Sequence, residues 1–224
     1  MISQRFSTCG AVAIVVVLVL GSAPAAKAAP ITLPTQLSGP MTVVDFNSLS
    51  TGLQTSPLVL SGATFSAGTG GFDTINTNLW PASTLFPTFV SGNALGRADT
   101  NPALPNFTIT FAAPVAQVGF GIFDANFLGN LILAYDGGGN LLESTSPDYL
   151  VAPSLGTGAD YVGFVRGAAD IKRIELVAGA SGGVTDALWI DNLSFSPTPV
   201  PEPGTLALLG LGLAGLAATR RRKQ

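Results

Sequence analysis

Short apolar runs with a two-residue period, each bounded by turn-forming residues, are the feature that most restricts the fold of this 224-residue chain. In "NFTITFA", the side chains of Phe107, Ile109 and Phe111 alternate with the hydroxyls of Thr108 and Thr110. Such alternation places successive side chains on opposite faces of an extended strand. No window outside the two ends of the chain sustains an apolar period of 3.6 residues. The pattern predicts an all-β body without helices.

Further runs of this kind follow at short intervals along the chain. Leu131–Tyr135 and the residues from Leu141 onward predict a hairpin, whose turn over Asp136–Asn140 contains three glycines that tolerate positive φ. The remaining runs are "MTVVDFN", "GATFSAG", "VAQVGFGIFD", "YVGFVRG", "IKRIELVAG" and "DALWIDNLSFS". About nine or ten strands of this spacing predict a single two-sheet, jelly-roll-like β-sandwich.

The last predicted strand contains an acidic residue, Asp191, among apolar neighbours. Strict alternation turns its carboxylate inward, whereas a bulge at this residue and the next moves Leu188 and Ile190 onto the side of Leu193. In both cases a buried carboxylate without partners is too costly. We therefore expect Asp191 to accept hydrogen bonds from loop amides, and the alternative is a calcium ligand.

The composition excludes most of the familiar site chemistry. The chain has no histidine, and its single cysteine, Cys9, lies near the N-terminus. These absences exclude a Ser-His-Asp triad, a Cys-His pair and a zinc site with nitrogen and sulfur ligands. Of 10 basic and 13 acidic residues, six basic residues and one acid lie in the two ends, so residues 29–198 keep a net charge of −8. Such an acidic body excludes a nucleic-acid partner.

The segment from Gly68 to Asn106 has at most two short strand signals and is the candidate ligand surface. It offers an aromatic face with amide and charged groups, which suit a sugar because a pyranose has one apolar face and a rim of hydroxyls. The residues that offer these groups are Asp73, Asn76, Asn78, Trp80, Arg97 and Asp99. The alternative is that Trp80 packs on the end of the sandwich and that the Asn and Asp residues form turns.

Enzymatic and metal sites have weaker support. Glycoside hydrolysis requires two carboxylates that face each other across a cleft. The body's two glutamates, Glu143 and Glu175, lie in or beside predicted surface strands with polar neighbours, which argues against that reaction. Asp136–Asn140 and Asp124–Asn126 offer oxygen atoms to calcium, but neither follows the twelve-residue loop pattern. We expect no catalytic site and no cofactor, and the alternative is a structural calcium ion.

Residues 1–28 have the pattern of a secretory signal peptide. A basic residue precedes the uncharged apolar run Gly10–Gly21, and small residues form an A-x-A site that ends at Ala28. Cleavage after Ala28 makes Ala29 the new N-terminus, whereas a cut one residue later would leave Pro30 there. The alternative is an uncleaved anchor, although the apolar run is shorter than the ~20 residues of a membrane span.

The C-terminal 25 residues, "VPEPGTLALLGLGLAGLAATRRRKQ", combine a proline-flanked acid, an apolar run and a basic cluster. As a helix, the apolar Thr205–Thr219 would span about 22 Å, which is less than the ~30 Å hydrocarbon layer. The basic cluster would stay on the cytoplasmic side. Two prolines restrict the backbone before the run and remove amide donors, so an accessible strip is expected just above the membrane. The strip is Val200–Gly204, which contains the motif Pro201, Glu202 and Pro203, and the cluster is Arg220, Arg221, Arg222 and Lys223.

This order of parts resembles the PEP-CTERM sorting signal of exopolysaccharide-producing Gram-negative bacteria. The resemblance covers about the last 25 residues and implies transient insertion in the inner membrane. It also implies recognition by an exosortase, which cuts near the motif and releases the protein to the cell surface or matrix. The motif residues would be that protease's substrate, and a bare tail anchor is the alternative. The body more loosely resembles β-sandwich domains that precede such tails, and this resemblance implies a fold but no activity.

We therefore expect three parts: a signal peptide over residues 1–28, a β-sandwich over 29–198 and a sorting signal over 199–224, with helices in the first and last. The expected role is structural or adhesive and non-enzymatic, at the cell surface or in an exopolysaccharide matrix. Signal peptidase and an exosortase are the expected processing partners, and polysaccharide is a further partner. The alternatives are a carbohydrate-binding module with a defined pocket and a secreted polysaccharide hydrolase.

Overall fold

The computed structural model describes residues 29–67, 71–79, 89–97, 107–125, 127–147 and 159–196. In these ranges two antiparallel β-sheets pack face to face, which confirms the predicted all-β sandwich. The helices in this part of the chain are two single 3-10 turns, η1 (Pro34–Gln36) and η2 (Thr77–Leu79). None of the described helices is both long enough and apolar enough to cross a bilayer. The helices predicted for the signal peptide and the tail lie outside the described residues.

The larger sheet has eight strands, numbered here with all others along the chain. They are β1 (Ala29–Ile31), β2 (Thr42–Val44), β3 (Gly52–Gln54), β6 (Phe72–Asn76), β7 (Asn93–Gly96), β9 (Gln117–Phe123), β12 (Ala159–Val165) and β16 (Trp189–Ser196). Their order is β1-β12-β9-β16-β7-β6-β3, and β2 also pairs with β16. The central strands β9 and β16 thus come from distant parts of the sequence.

The smaller sheet has six strands in the order β11-β10-β13-β8-β5-β4. They are β4 (Leu58–Leu60), β5 (Ala63–Ser66), β8 (Phe107–Val115), β10 (Leu131–Tyr135), β11 (Leu141–Thr145) and β13 (Ile171–Val177). A separate two-stranded ribbon joins β14 (Ala180–Ser181) to β15 (Val184–Thr185).

The clearest sequence patterns give the elements that they predict. The three apolar residues of "FTITF" in β8 are buried, and the two threonines between them are partly exposed. The predicted hairpin pairs β10 with β11, and the Asp136 N–H donates to the Asn140 carbonyl oxygen at 3.0 Å across its turn. Gly139 uses the conformational freedom expected of this turn, with φ at +82°.

The predicted number of strands is too low, because sixteen strands lie in the described ranges. Those without a prediction contain only two or three residues each, which is too few to show a period. They are β1, β3, β4, β14 and β15. The segment from Gly68 to Asn106 contributes β6 and β7 to the described residues, within the two short strands expected there.

The core lies between the inner faces of the two sheets, and aromatic pairs join them. Phe72 of the larger sheet contacts Phe107 of the smaller one with ring centroids 5.6 Å apart. Phe111 and Phe195 are a second such pair at 4.9 Å. Edge-to-face and tilted pairs of this kind add about 1 kcal/mol each beyond the buried area. Aromatic packing therefore fixes the sheet-to-sheet distance along β8.

A buried arginine closes one side of the sandwich. Arg166 follows β12 and is 5% exposed. Its Nη2 lies 2.8 Å from Asp170 Oδ2, and its Nε bonds the other oxygen of the same carboxylate. Its Nη1 lies 3.6 Å from Glu143 Oε1 on β11. Because β11 and β12 belong to different sheets, this one cation ties the two sheets together.

Replacement of the arginine tests that tie. We expect Arg166→Met to lower the free energy of unfolding by about 3 kcal/mol, because it removes the cation that two partly buried carboxylates share. The matched control is Arg173→Met, which removes a more exposed pair with Glu175 and should cost about 1 kcal/mol. Urea midpoints of both variants measure the difference. Equal losses would contradict a special role for Arg166.

Candidate functional site

Four members of the predicted ligand surface lie in the described residues. Asp73 and Asn76 are in β6, Asn78 is in η2, and Arg97 directly follows β7. The pairing of β6 with β7 places Asp73 opposite Gly96, next to Arg97, whereas Asn76 lies opposite Asn93 toward the other end of the pair, where Asn78 follows. Two further members, Trp80 and Asp99, lie outside the described residues.

Two of these polar side chains bond to nearby backbone. Asp73 Oδ1 accepts a hydrogen bond from the Thr74 N–H at 2.8 Å, and Asn76 Oδ1 accepts one from the Asn78 N–H at 3.0 Å. The Arg97 side chain is buried, with 7% of the residue exposed. The Asn76 contact is that of the turn-forming alternative, whereas Asp73 lies within a strand. A carbohydrate surface in this segment remains a prediction.

Part of the irregular segment covers the outer face of the larger sheet. Phe89 and Val90 lie on this face, where they pack with Phe123 and Trp189 in a second apolar cluster. The Cβ of any residue larger than glycine at position 121 would overlap the Phe89 carbonyl oxygen. Gly121 is therefore the position at which the loop backbone rests directly on the sheet. The result is a local third layer, which the sequence patterns did not predict.

Asp191 holds this layer in place and is fully buried. Its Oδ2 accepts a hydrogen bond from the Ser91 N–H at 2.7 Å, and its Oδ1 accepts one from the Asn192 N–H at 2.7 Å. The Asn192 side chain donates to the Phe89 carbonyl oxygen at 3.2 Å. The prediction that Asp191 accepts hydrogen bonds from loop amides is confirmed.

The predicted bulge is confirmed at the same place. The register between β16 and β9 shifts after Asp191, and Asn192 has φ at +53°. As a result Leu188, Ile190 and Leu193 all join the main core. The described residues contain no group of three or more Asp, Glu, His or Cys side chains arranged to hold a metal ion.

Burial changes the titration of two aspartates. It raises the pKa of Asp191 to about 7, an effect that the Ser91 and Asn192 amides oppose and the charge of Asp45 increases. Burial and the charge of Asp186 likewise raise the pKa of Asp124 to about 7.

Of the calcium candidate Asp124–Asn126, the first two residues are described. They lie beside a network of hydrogen bonds around Asp186. Asp186 Oδ2 accepts hydrogen bonds from the Phe127 N–H at 2.9 Å and from Asn130 Nδ2 at 2.6 Å. The side-chain oxygen of Asn130, Oδ1, accepts a hydrogen bond from the Gly179 N–H at 2.6 Å. The second candidate, Asp136, accepts hydrogen bonds within its own hairpin turn. The hydrogen bonds to these oxygens thus hold the surrounding loops and the hairpin turn in place.

The carboxylates considered for hydrolysis are each engaged with an arginine. Glu143 lies beside Arg166, as described above, and Glu175 Oε2 lies 2.7 Å from Arg173 Nη1. The Arg173 guanidinium also lies over the Tyr135 ring, 4.1 Å from its centroid. Both glutamates thus help to order the smaller sheet and its border with β12.

A face rich in hydroxyl groups covers the outside of the smaller sheet, and we call it the hydroxyl face. Thr110 lies opposite both Thr64 and Arg173, and Thr108 lies opposite both Ser66 and Glu175. The four hydroxyl side chains are partly exposed. The alternation in β8 predicted the outward direction of its two threonines. Their alignment with β5 depends on long-range pairing, which gives no local signal in the sequence.

The buried Asp191 predicts a pH dependence of stability. Its folded-state pKa lies above the unfolded value of about 3.9, so the folded state holds this proton more tightly. The resulting stabilisation is complete below about pH 4 and is lost as the pH rises through 7. We expect the free energy of unfolding to fall over this range by on the order of 3 kcal/mol, at about 1.4 kcal/mol per pKa unit.

Urea titrations between pH 4 and 8 measure this slope. Asp191→Asn should remove most of it, and Asp45→Asn should move its midpoint to lower pH, because Asp45 is one cause of the raised pKa. A residual slope from Asp124 should disappear in Asp124→Asn. An unchanged pH profile in Asp191→Asn would contradict the assignment.

The predicted processing residues mostly lie outside the described ranges. These are Ala28 at the signal cleavage site, Pro201, Glu202 and Pro203 of the motif, and Arg220, Arg221 and Arg222 of the basic cluster. Ala29 is described, and it is the first residue of β1.

Comparisons with known proteins give a specific match for the tail. No curated protein matches the chain. Among solved structures, the chain is similar to the K2 cleaved adhesin domain of Lys-gingipain, with 11% sequence identity and a TM-score of 0.44, over 70% of this chain and 99% of that one. Residues 199–223 match the family model of the PEP-CTERM protein-sorting motif. The chain therefore carries a PEP-CTERM sorting motif behind a β-sandwich body.

Proposed function

We propose that the protein is a non-enzymatic structural or adhesive component of the cell surface or of an exopolysaccharide matrix. It is exported across the inner membrane, held there by its tail, and released when an exosortase cuts near Pro201-Glu202-Pro203. The observation that carries the proposal is the sorting motif over residues 199–223. The motif acts as a substrate in this process, so the protease supplies the catalytic groups.

The surface of the body supports a structural role. The hydroxyl face offers four partly exposed hydroxyl groups beside Arg173 and Glu175, and such a surface suits multiple weak contacts with a hydrated polymer. An exposed tyrosine ring could also bind the apolar face of a sugar, but Tyr161 is 2% exposed, and burial raises its pKa to about 12. The aspartates and glutamates described above accept hydrogen bonds from nearby amides or form ion pairs with arginines. This arrangement favours a matrix protein over the pocket and hydrolase alternatives.

Removal of the tail is tested by mass spectrometry of the protein, purified from a host with its exosortase and from one without it. We expect the released protein to lack Arg220, Arg221 and Arg222 when the exosortase is present, and the precursor to stay in the membrane when it is absent. Glu202→Ala should slow release at least 10-fold, with Gln224→Ala as the matched tail control. Released protein that retains its arginine-rich end would contradict the proposal.

The matrix role is tested by binding of the released protein to an array of bacterial polysaccharides. Contacts spread over a broad face predict that Trp80→Ala changes binding less than about 2-fold, similar to the control Leu79→Ala at an exposed neighbour. A loss of more than 10-fold in Trp80→Ala alone would instead favour a carbohydrate-binding module with a defined pocket.

A further inference from the structure

The two ends of the folded body lie in one row of the larger sheet. Ala29, the first residue of β1, lies opposite Val165 of β12. Val165 lies opposite Gln117 of β9, and Gln117 lies opposite Ser196, the last residue of β16. Neighbouring strands are about 4.8 Å apart, so three spacings separate the two ends by roughly 15 Å. We call this end of the sandwich the entry–exit end.

The strand directions make both tethers leave from the entry–exit end. The three pairings that connect the row are antiparallel, so β1 runs away from the row while β16 runs toward it. The predicted signal peptide is attached at Ala29, and the sorting motif follows Ser196 closely. A chain inserted through both segments is therefore held to the membrane by one end of a complete sandwich.

The length of the connection limits how the body can turn. Six residues lead from Ser196 to Glu202, and six extended residues reach at most about 20 Å. The eight residues of β16 extend roughly 26 Å from the entry–exit end toward the opposite end. The link is thus too short for the body to turn over and bring its opposite end to the bilayer.

Exposed small side chains surround the two tethers. The stretch from Ala112 to Pro114 precedes the turn into β9, and Gly167–Ala169 connects β12 to β13; all six of these residues are exposed. The charged residues beside them are engaged: Arg166 holds Asp170, and Lys172 Nζ donates to the carbonyl oxygens of Phe111 and Ala112. The surface next to the tethers thus has small side chains, and the charged groups beside it are already paired.

The charge of the body is divided unequally between the two ends. Among the described residues, three basic residues and three acids lie near the entry–exit end, a formal net charge of 0; the other described residues contain seven acids and one arginine, a formal net charge of −6. The six residues near this end are Arg166, Lys172, Arg173, Asp136, Glu143 and Asp170. Described acids toward the opposite end include Asp73, Asp124 and Asp186. An anionic lipid surface repels the second group more strongly, within a Debye length of about 8 Å.

From these observations we propose that the entry–exit end is a docking surface for the anionic headgroups of the bilayer during sorting. The inference rests on the proposed function, because it requires a membrane-held precursor. Tether geometry sets the direction in which the body points. The near-neutral charge of this end lets it approach the lipid, while the acidic remainder of the body is kept away from the surface.

The test uses the full-length precursor, with Cys9→Ser as the background. Single labelling sites are introduced at the two ends by Ala168→Cys and Leu128→Cys, both at exposed positions. Each labelled protein is inserted into vesicles of 70% zwitterionic and 30% anionic lipid that contain a headgroup quencher. We expect quenching of the label at position 168 to exceed that at position 128 at least 3-fold. Equal or reversed quenching overturns the proposal.

The electrostatic part is tested by added charge at the same end. Ala169→Glu in the position-168 labelled protein should lower its quenching about 2-fold at low salt, and 0.5 M NaCl should restore it. A control with purely zwitterionic vesicles should show no effect of this substitution. Insensitivity to both charge and salt overturns the docking surface.

These measurements contain no exosortase, so a failure here with normal tail cleavage leaves the sorting proposal intact. A precursor that does not bind vesicles overturns both.

Discussion

The bulge at Asp191 and Asn192 is the constraint on which the rest of the larger sheet depends. It lets β16 send Leu188, Ile190 and Leu193 into the core while the Asp191 carboxylate points to the outer face. There the carboxylate holds the backbone of the segment around Ser91. Without the extra residue, either the apolar side chains or the carboxylate would lie on the wrong face. One irregular position thus joins core packing to the ordering of a long loop.

Local patterns in the sequence predicted the elements that depend on local chemistry. The alternation in β8, the glycine-rich turn before β11 and the misfit of Asp191 among apolar neighbours each have a physical cause within a few residues. The strands β3 and β4 contain three residues each and have no comparable signal. The hydroxyl face and the entry–exit end depend on which distant strands become neighbours. Those relations arise from non-local pairing, which composition and period do not encode.

The candidate ligand surface shows the same limit at the level of single residues. Asp73 and Asn76 have the right chemistry for a sugar, yet in the fold their oxygens bond to neighbouring backbone. Arg97 has a charged head and is nevertheless buried. The sorting tail was easier to predict, because a membrane segment and its flanking charges act through their order along the chain rather than through tertiary contacts. Sorting and body function thus rest on separate kinds of information.

The close approach at Gly121 has an evolutionary consequence. The Phe89 carbonyl oxygen occupies the volume in which any other residue would place its Cβ. A side chain could be acquired at position 121 only if the chain around position 89 took another path, and such a path would also abandon the Asn192 contact. Substitutions in these separated stretches should therefore be inherited together, and lineages that have lost this glycine should show a rebuilt loop of different length.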